Sequence, residues 1–114
     1  MARVFDFNAL EQPTLEVTMK DDAKTKVHLL IPTEELIERF TAMSAEVKKL
    51  AQNPDGALIR ATFKLWAELF SYNEEGLTFT AESLRDVYKL KLVHLICFQP
   101  AYLDFIAELQ NAKN

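Results

Sequence analysis

Apolar and polar positions change their period once along this chain, and the change divides it. From Thr14 to Ile31 the period is two. Leu15, Val17 and Met19 fall on one side, and Thr14, Glu16, Thr18 and Lys20 on the other. After Asp21-Asp22-Ala23-Lys24 the alternation resumes, with Val27, Leu29 and Ile31 on one face and Lys26, His28 and Leu30 opposite. Alternation on both sides of an Asp-rich turn predicts a β-hairpin over about residues 14–31. The turn is longer than two residues and has no glycine, so its type stays open. An isolated hairpin is marginal in water, so this one must pack on helices or find another sheet edge.

Beyond Pro32 the period lengthens to that of a helix. Thr33 suits an N-cap, and Glu34 and Glu35 favour the positive end of a helix dipole. Leu36, Phe40, Met43, Val47 and Leu50 then recur every three or four residues, with Ile37, Ser44 and Ala51 flanking them. This predicts a helix over about 33–52, ending before the turn Pro54-Asp55-Gly56. A second helix, about 55–73, carries Leu58, Ile59, Thr62, Phe63, Trp66, Leu69 and Phe70, with Gly76 as its natural stop. Thr80-Ala81-Glu82-Ser83 caps a third, about 80–90, with Leu84, Val87 and Tyr88 turned inward. The fourth, about 91–111, opens on the densest apolar run, Leu92 to Phe98, and continues through Tyr102, Leu103, Phe105, Ile106 and Leu109. Pro100 is expected to break or kink it, leaving two pieces, because proline lacks a helical donor and crowds the preceding turn. Residues 1–13, with Val4, Phe5 and Phe7, read as a short strand or an arm closed by Pro13.

The fold expected is α+β and mostly α, a hairpin followed by a bundle of about four helices, in a single domain over residues 1–114. With 49% apolar and 26% charged residues the composition is that of a globular chain with a real core. A net charge of −4 makes nucleic acid a poor partner, because an acidic surface gains nothing by releasing phosphate counterions. The lone Cys97 suits a reducing compartment. No signal peptide is visible, and the run at 92–98 is far shorter than a membrane span. The expected location is cytoplasmic, with no membrane partner.

Candidate chemistry is sparse. His94 and Cys97 share a helix face but fall short of the four ligands of a structural zinc site. Cys97 as a nucleophile would need a polar cleft around it. Ser71 to Glu82 resembles a calcium loop in having Asn73, Gly76 and Glu82 at the right offsets, but Ser71 stands where an aspartate belongs. A helix stop followed by a helix cap is the simpler reading. Glu34, Glu35, Asp86, Asp104 and Glu108 are spread over outer helix faces. There is no phosphate-binding or nucleophile-elbow motif, so no cofactor, metal or catalysis is expected.

The string Val4 to Pro13, then Leu15-Glu16-Val17-Thr18, then Pro32-Thr33-Glu34-Glu35-Leu36 resembles small prophage proteins of Gram-positive bacteria. So do Gly76 to Glu82 and the ending Ala101-Tyr102-Leu103-Asp104-Phe105-Ile106. These look like tail assembly chaperones of long-tailed phages, and the resemblance spans nearly the whole chain. It implies that the protein binds the tape measure protein and keeps it soluble while the tail tube forms. It also implies work in the host cytoplasm, absence from the finished virion, and a longer frameshifted product that recruits the tail tube protein. The family offers no motif residues to carry over as a site.

Masking apolar helical surface reversibly calls for a groove that takes a helix, or a free strand edge. The candidates are the hairpin face, Val17, Met19, Val27 and Leu29, and the last helix, Phe98, Tyr102 and Phe105. For each residue, internal core is the competing assignment. Many copies along one tape measure chain would favour a homo-oligomer, served by the hairpin edge. The alternatives are a structural tail or tail-completion protein of the virion, and a small enzyme with an unrecognised site. The ending Ala112-Lys113-Asn114 is compatible with the codons GCA-AAA-AAC, which contain a heptamer on which ribosomes slip back one base. Sequencing the gene is expected to show that heptamer at the Lys113 codon with an overlapping frame downstream. A gene with neither removes the longer product.

Overall fold

A computed structural model describes residues 14–47 and 56–111, with side chains described as far as Glu108. The elements are β1 (Leu15–Thr18), β2 (Lys26–Leu29), α1 (Glu34–Val47), α2 (Gly56–Phe70), α3 (Ala81–Asp86) and α4 (Leu92–Asn111). A two-stranded hairpin followed by four helices is the α+β, mostly α arrangement that the two periods imply. The expected segment 1–13, and Leu50 and Ala51 of the first stripe, lie outside the described residues.

The hairpin is antiparallel, with Leu15 opposite Leu29 and Val17 opposite Val27. Its turn is built on Asp21. The Asp21 carboxylate accepts from both the N–H and the hydroxyl of Thr25, and Lys24 takes a left-handed conformation at φ 51°. An aspartate that bonds its own turn and one left-handed residue replace the glycine of a two-residue hairpin. Those bonds hold the Asp21 carboxyl below the usual carboxylate range, the Thr25 hydroxyl contributing most. The strand ends two residues before the expected limit at Ile31. Ile31 is 37% exposed, because the strand stops at Leu29 and the Leu30 N–H turns to the Tyr72 carbonyl at 2.8 Å.

Capping follows the sequence. The Thr33 hydroxyl accepts from the Leu36 N–H at 3.3 Å, and Thr80 and Ser83 bond each other's backbone reciprocally at the start of α3. Helix α3 is shorter than its apolar pattern. The chain leaves it at Val87, passes through a left-handed Lys89 at φ 57°, and brings the Leu90 N–H back to the Leu84 carbonyl at 2.8 Å. Val87 is therefore 56% exposed rather than inward, while Leu84 is fully buried.

Helix α4 is a single helix from Leu92 to Asn111 with Pro100 inside it, not two pieces. The physical reason is placement. Pro100 and Ile96 both lie on the solvent side, so water can reach the Ile96 carbonyl that proline leaves without its donor.

The core is aromatic. Phe40 of α1, Trp66 of α2 and Tyr102 of α4 form a closed triangle with centroid separations of 5.1, 5.2 and 5.2 Å, all three contacts edge-to-face. Phe70 extends the cluster to Phe79 at 5.8 Å and, stacked, to Phe98 at 5.8 Å. On the α2–α3 side, the Arg85 guanidinium lies 5.5 Å from the centre of the Phe63 ring.

The Tyr102 hydroxyl is buried without a hydrogen-bond partner among the described residues. Desolvation pushes its pKa well above the ordinary tyrosine range. The ring stabilises and the hydroxyl costs, so the two substitutions that separate them should differ in sign. Tyr102→Phe is expected to leave stability unchanged or raise it by about 1 kcal/mol in denaturant unfolding. Tyr102→Ala is expected to lose about 3–5 kcal/mol.

Candidate partner-binding surface

Five of the seven residues expected to meet a partner are core. Met19, Val27 and Leu29 are 4%, 0% and 0% exposed, and Tyr102 and Phe105 are 0% and 6%. The competing assignment, internal core, holds for these five, because the hairpin face and the inner face of α4 belong to one apolar cluster. Val17 and Phe98 are half-buried. They share the margin of a cleft of about 200 Å³ between β1, the end of α2 and the start of α4, whose apolar lining includes Met19, Phe70, Leu90 and Leu95.

The rim of this cleft carries a cation, Lys20. Lys20 and His94 both line it, and the Lys20 ammonium lies 3.3 Å from His94 Nε2. His94 is in the first turn of α4, and its Nδ1 accepts from the Lys91 N–H at 2.9 Å, capping the helix. That bond gives His94 a helix-capping task, and Cys97, one turn further on, is exposed. Phe70, Leu90 and Lys20 escaped sequence reasoning as site residues, since nothing in a linear pattern tells which helix end a hairpin will face.

The hairpin is held in place by the segment between α2 and α3. Asn73 pairs with Leu29 as an isolated bridge, and the Glu74 N–H donates to the His28 carbonyl at 3.0 Å. This gives β2 a short second neighbour on its outer edge. Asn73 is 7% exposed. Its amide donates to the Phe70 and Leu77 carbonyls and accepts from the Leu77 N–H, so the residue at the third position of the calcium-like loop is an internal brace. Gly76 turns the same loop at φ 72°, six residues past the end of α2 rather than at it.

His28 and Glu75 lock the two segments together. The Glu75 carboxylate accepts from the His28 N–H at 2.8 Å and from its Nδ1 at 2.7 Å. Glu16 stands 3.9 Å from the Nε2 side. The Glu75 hydrogen bond raises the His28 pKa above its ordinary 6.5, and the His28 backbone and ring hydrogen bonds lower that of Glu75 below its ordinary 4.5.

No protein-family model, curated protein or solved structure matches this chain.

The lock implies a pH window. Histidine with a raised folded pKa contributes fully below about 6.5 and loses its contribution as pH rises through the folded value. Glutamate with a lowered folded pKa contributes above about 4.5 and loses it as pH falls through the folded value. The lock is therefore strongest between about pH 4.5 and 6.5. Melting temperatures across pH 5–9 should show the wild type losing stability on the alkaline side of that window relative to Glu75→Gln. Parallel curves for the two proteins would show that the lock carries no proton-linked stability.

Proposed function

We propose that this protein is a tail assembly chaperone, a non-catalytic binding protein that takes apolar helical segments of a tape measure protein and keeps them soluble in the host bacterial cytoplasm. The single observation that carries the reading is the cleft lined by Val17, Met19 and Phe98 between the hairpin and α4. At about 200 Å³ it is smaller than the 300–1,000 Å³ typical of small-molecule sites, and its lining is mainly apolar, with Thr18, Lys20 and His94 the polar members. It suits one bulky side chain, the anchor by which an amphipathic helix is held in a groove. The Lys20 ammonium on the rim favours an acidic neighbour on that helix.

The resemblance carried by Val4 to Pro13, Gly76 to Glu82 and Ala101 to Ile106 supplies the client. A family of tail assembly chaperones needs a surface that holds many similar helices weakly, and one shallow anchor site per copy meets that need. Recruitment of the tail tube protein belongs to the longer frameshifted product in this reading, not to the chain of 114 residues. Among the described residues no helix is long and apolar enough to cross a membrane, which is compatible with a cytoplasmic task.

Co-expression with the large tail gene product encoded beside it tests the proposal. The large protein is expected to become more soluble and to co-purify, and Phe98→Ala, checked for retained helicity, is expected to weaken both effects about tenfold or more. Mass spectrometry of purified particles is expected to find the chain missing. No co-purification and no gain in solubility would overturn the reading, and abundant chain in virions would favour a structural tail component.

A further inference from the structure

Helix α4 has a second apolar row on the side turned away from the core. Val93, Ile96 and Leu103 are 57%, 40% and 39% exposed, and Pro100 and Ala107 between and beyond them are exposed as well. The positions 93, 96, 100, 103 and 107 alternate steps of three and four, the spacing of the seam in a two-helix coiled coil. No charged side chain interrupts the row. A helix face open to water ordinarily carries the polar residues, so α4 is apolar both toward the core and away from it.

The charges around this row are sorted by position. Lys89 and Lys91 lie just before the start of α4, and Asp104 and Glu108 near its end. The side chains of Lys91, Asp104 and Glu108 form no ion pair among the described residues, and Lys89 reaches only the fully exposed Asp22, at 3.8 Å. A parallel partner helix of the same kind would set lysine against lysine and carboxylate against carboxylate. An antiparallel one sets each basic end against an acidic end and also opposes the helix dipoles favourably. The row is centred on Pro100. A two-fold axis there places Val93 opposite Ala107, Ile96 within one residue of Leu103, and Lys91 within one residue of Glu108, so a single patch is complementary to itself.

We propose that the Val93–Ile96–Leu103 ridge is a self-association surface on which two copies pair antiparallel through α4, with Lys91 of each copy beside Glu108 of the other. The pairing uses the face of α4 opposite the cleft, so it stands on the helix surface alone and does not rest on the chaperone reading.

Sedimentation equilibrium of the full-length protein over a wide concentration range tests it. A reversible monomer–dimer equilibrium is expected. Ile96→Glu with Leu103→Glu is expected to weaken the dimer about a hundredfold, with helicity retained because both side chains face water. Lys91→Glu alone and Glu108→Lys alone are each expected to weaken it about three- to tenfold. The two reversals combined are expected to restore wild-type association, which a parallel pairing would not do. A chain that stays monomeric throughout overturns the proposal, whether the ridge is bare or covered by another segment of the same chain. So does a dimer indifferent to the ridge substitutions, and a combined reversal that fails to restore association overturns the antiparallel register.

Discussion

Three rings, one from each long helix, meet edge-to-face at Phe40, Trp66 and Tyr102, and this contact sets the position of nearly everything else. Each ring is at most 1% exposed. Edge-to-face geometry places the positive edge of one ring on the negative face of the next, so a triangle of such contacts fixes helix rotation as well as distance. With α4 rotated to deliver Tyr102 inward, Leu95, Phe105 and Ile106 follow inward, and Val93, Ile96 and Leu103 are forced outward. The exposed ridge is thus a consequence of the same rotation that builds the core. The unpaired Tyr102 hydroxyl is a local cost of that arrangement, since a phenol fills the site but nothing described around it accepts the proton.

The hairpin depends on the helices at two levels. Its inner face, Val27 and Leu29, is completed by the core, and its outer edge is completed by Tyr72, Asn73 and Glu74. A four-residue strand pair has too few ladder bonds to persist alone. The buried Asn73 amide, bonded on both sides by its own loop, keeps that loop in the shape that β2 needs. The His28–Glu75 contact then ties the hairpin to the segment between α2 and α3 through a pair that responds to pH.

The elements were legible wherever a period was sustained. The alternation around Asp21 gave the hairpin, the Leu36–Phe40–Met43–Val47 stripe gave α1, and the Thr33 and Thr80 caps marked helix starts. What misled was local grammar that the fold outweighs. Pro100 looks like a break, yet on a water-facing turn it costs one hydrogen bond whose carbonyl stays solvated. Val87 looks like core, yet the chain has already left α3 there. The choice between core and partner surface was open in the sequence for a related reason. Apolar side chains at Met19, Val27, Leu29, Tyr102 and Phe105 satisfy one another across the molecule, and a linear pattern cannot tell a face that meets another element from one that stays open. The informative signal was the excess: α4 has more apolar faces than one core can cover.

Trp66 is the sole tryptophan and sits in the aromatic triangle, so it reports the central contact directly. Equilibrium denaturation followed at once by Trp66 fluorescence and by far-ultraviolet circular dichroism separates a core that organises the fold from one that merely fills it. If the Phe40–Trp66–Tyr102 contact holds the helices together, native emission is that of a dry indole and both probes share one transition. Emission of a water-exposed indole in the native protein, or loss of the Trp66 signal while helicity persists, would contradict the account.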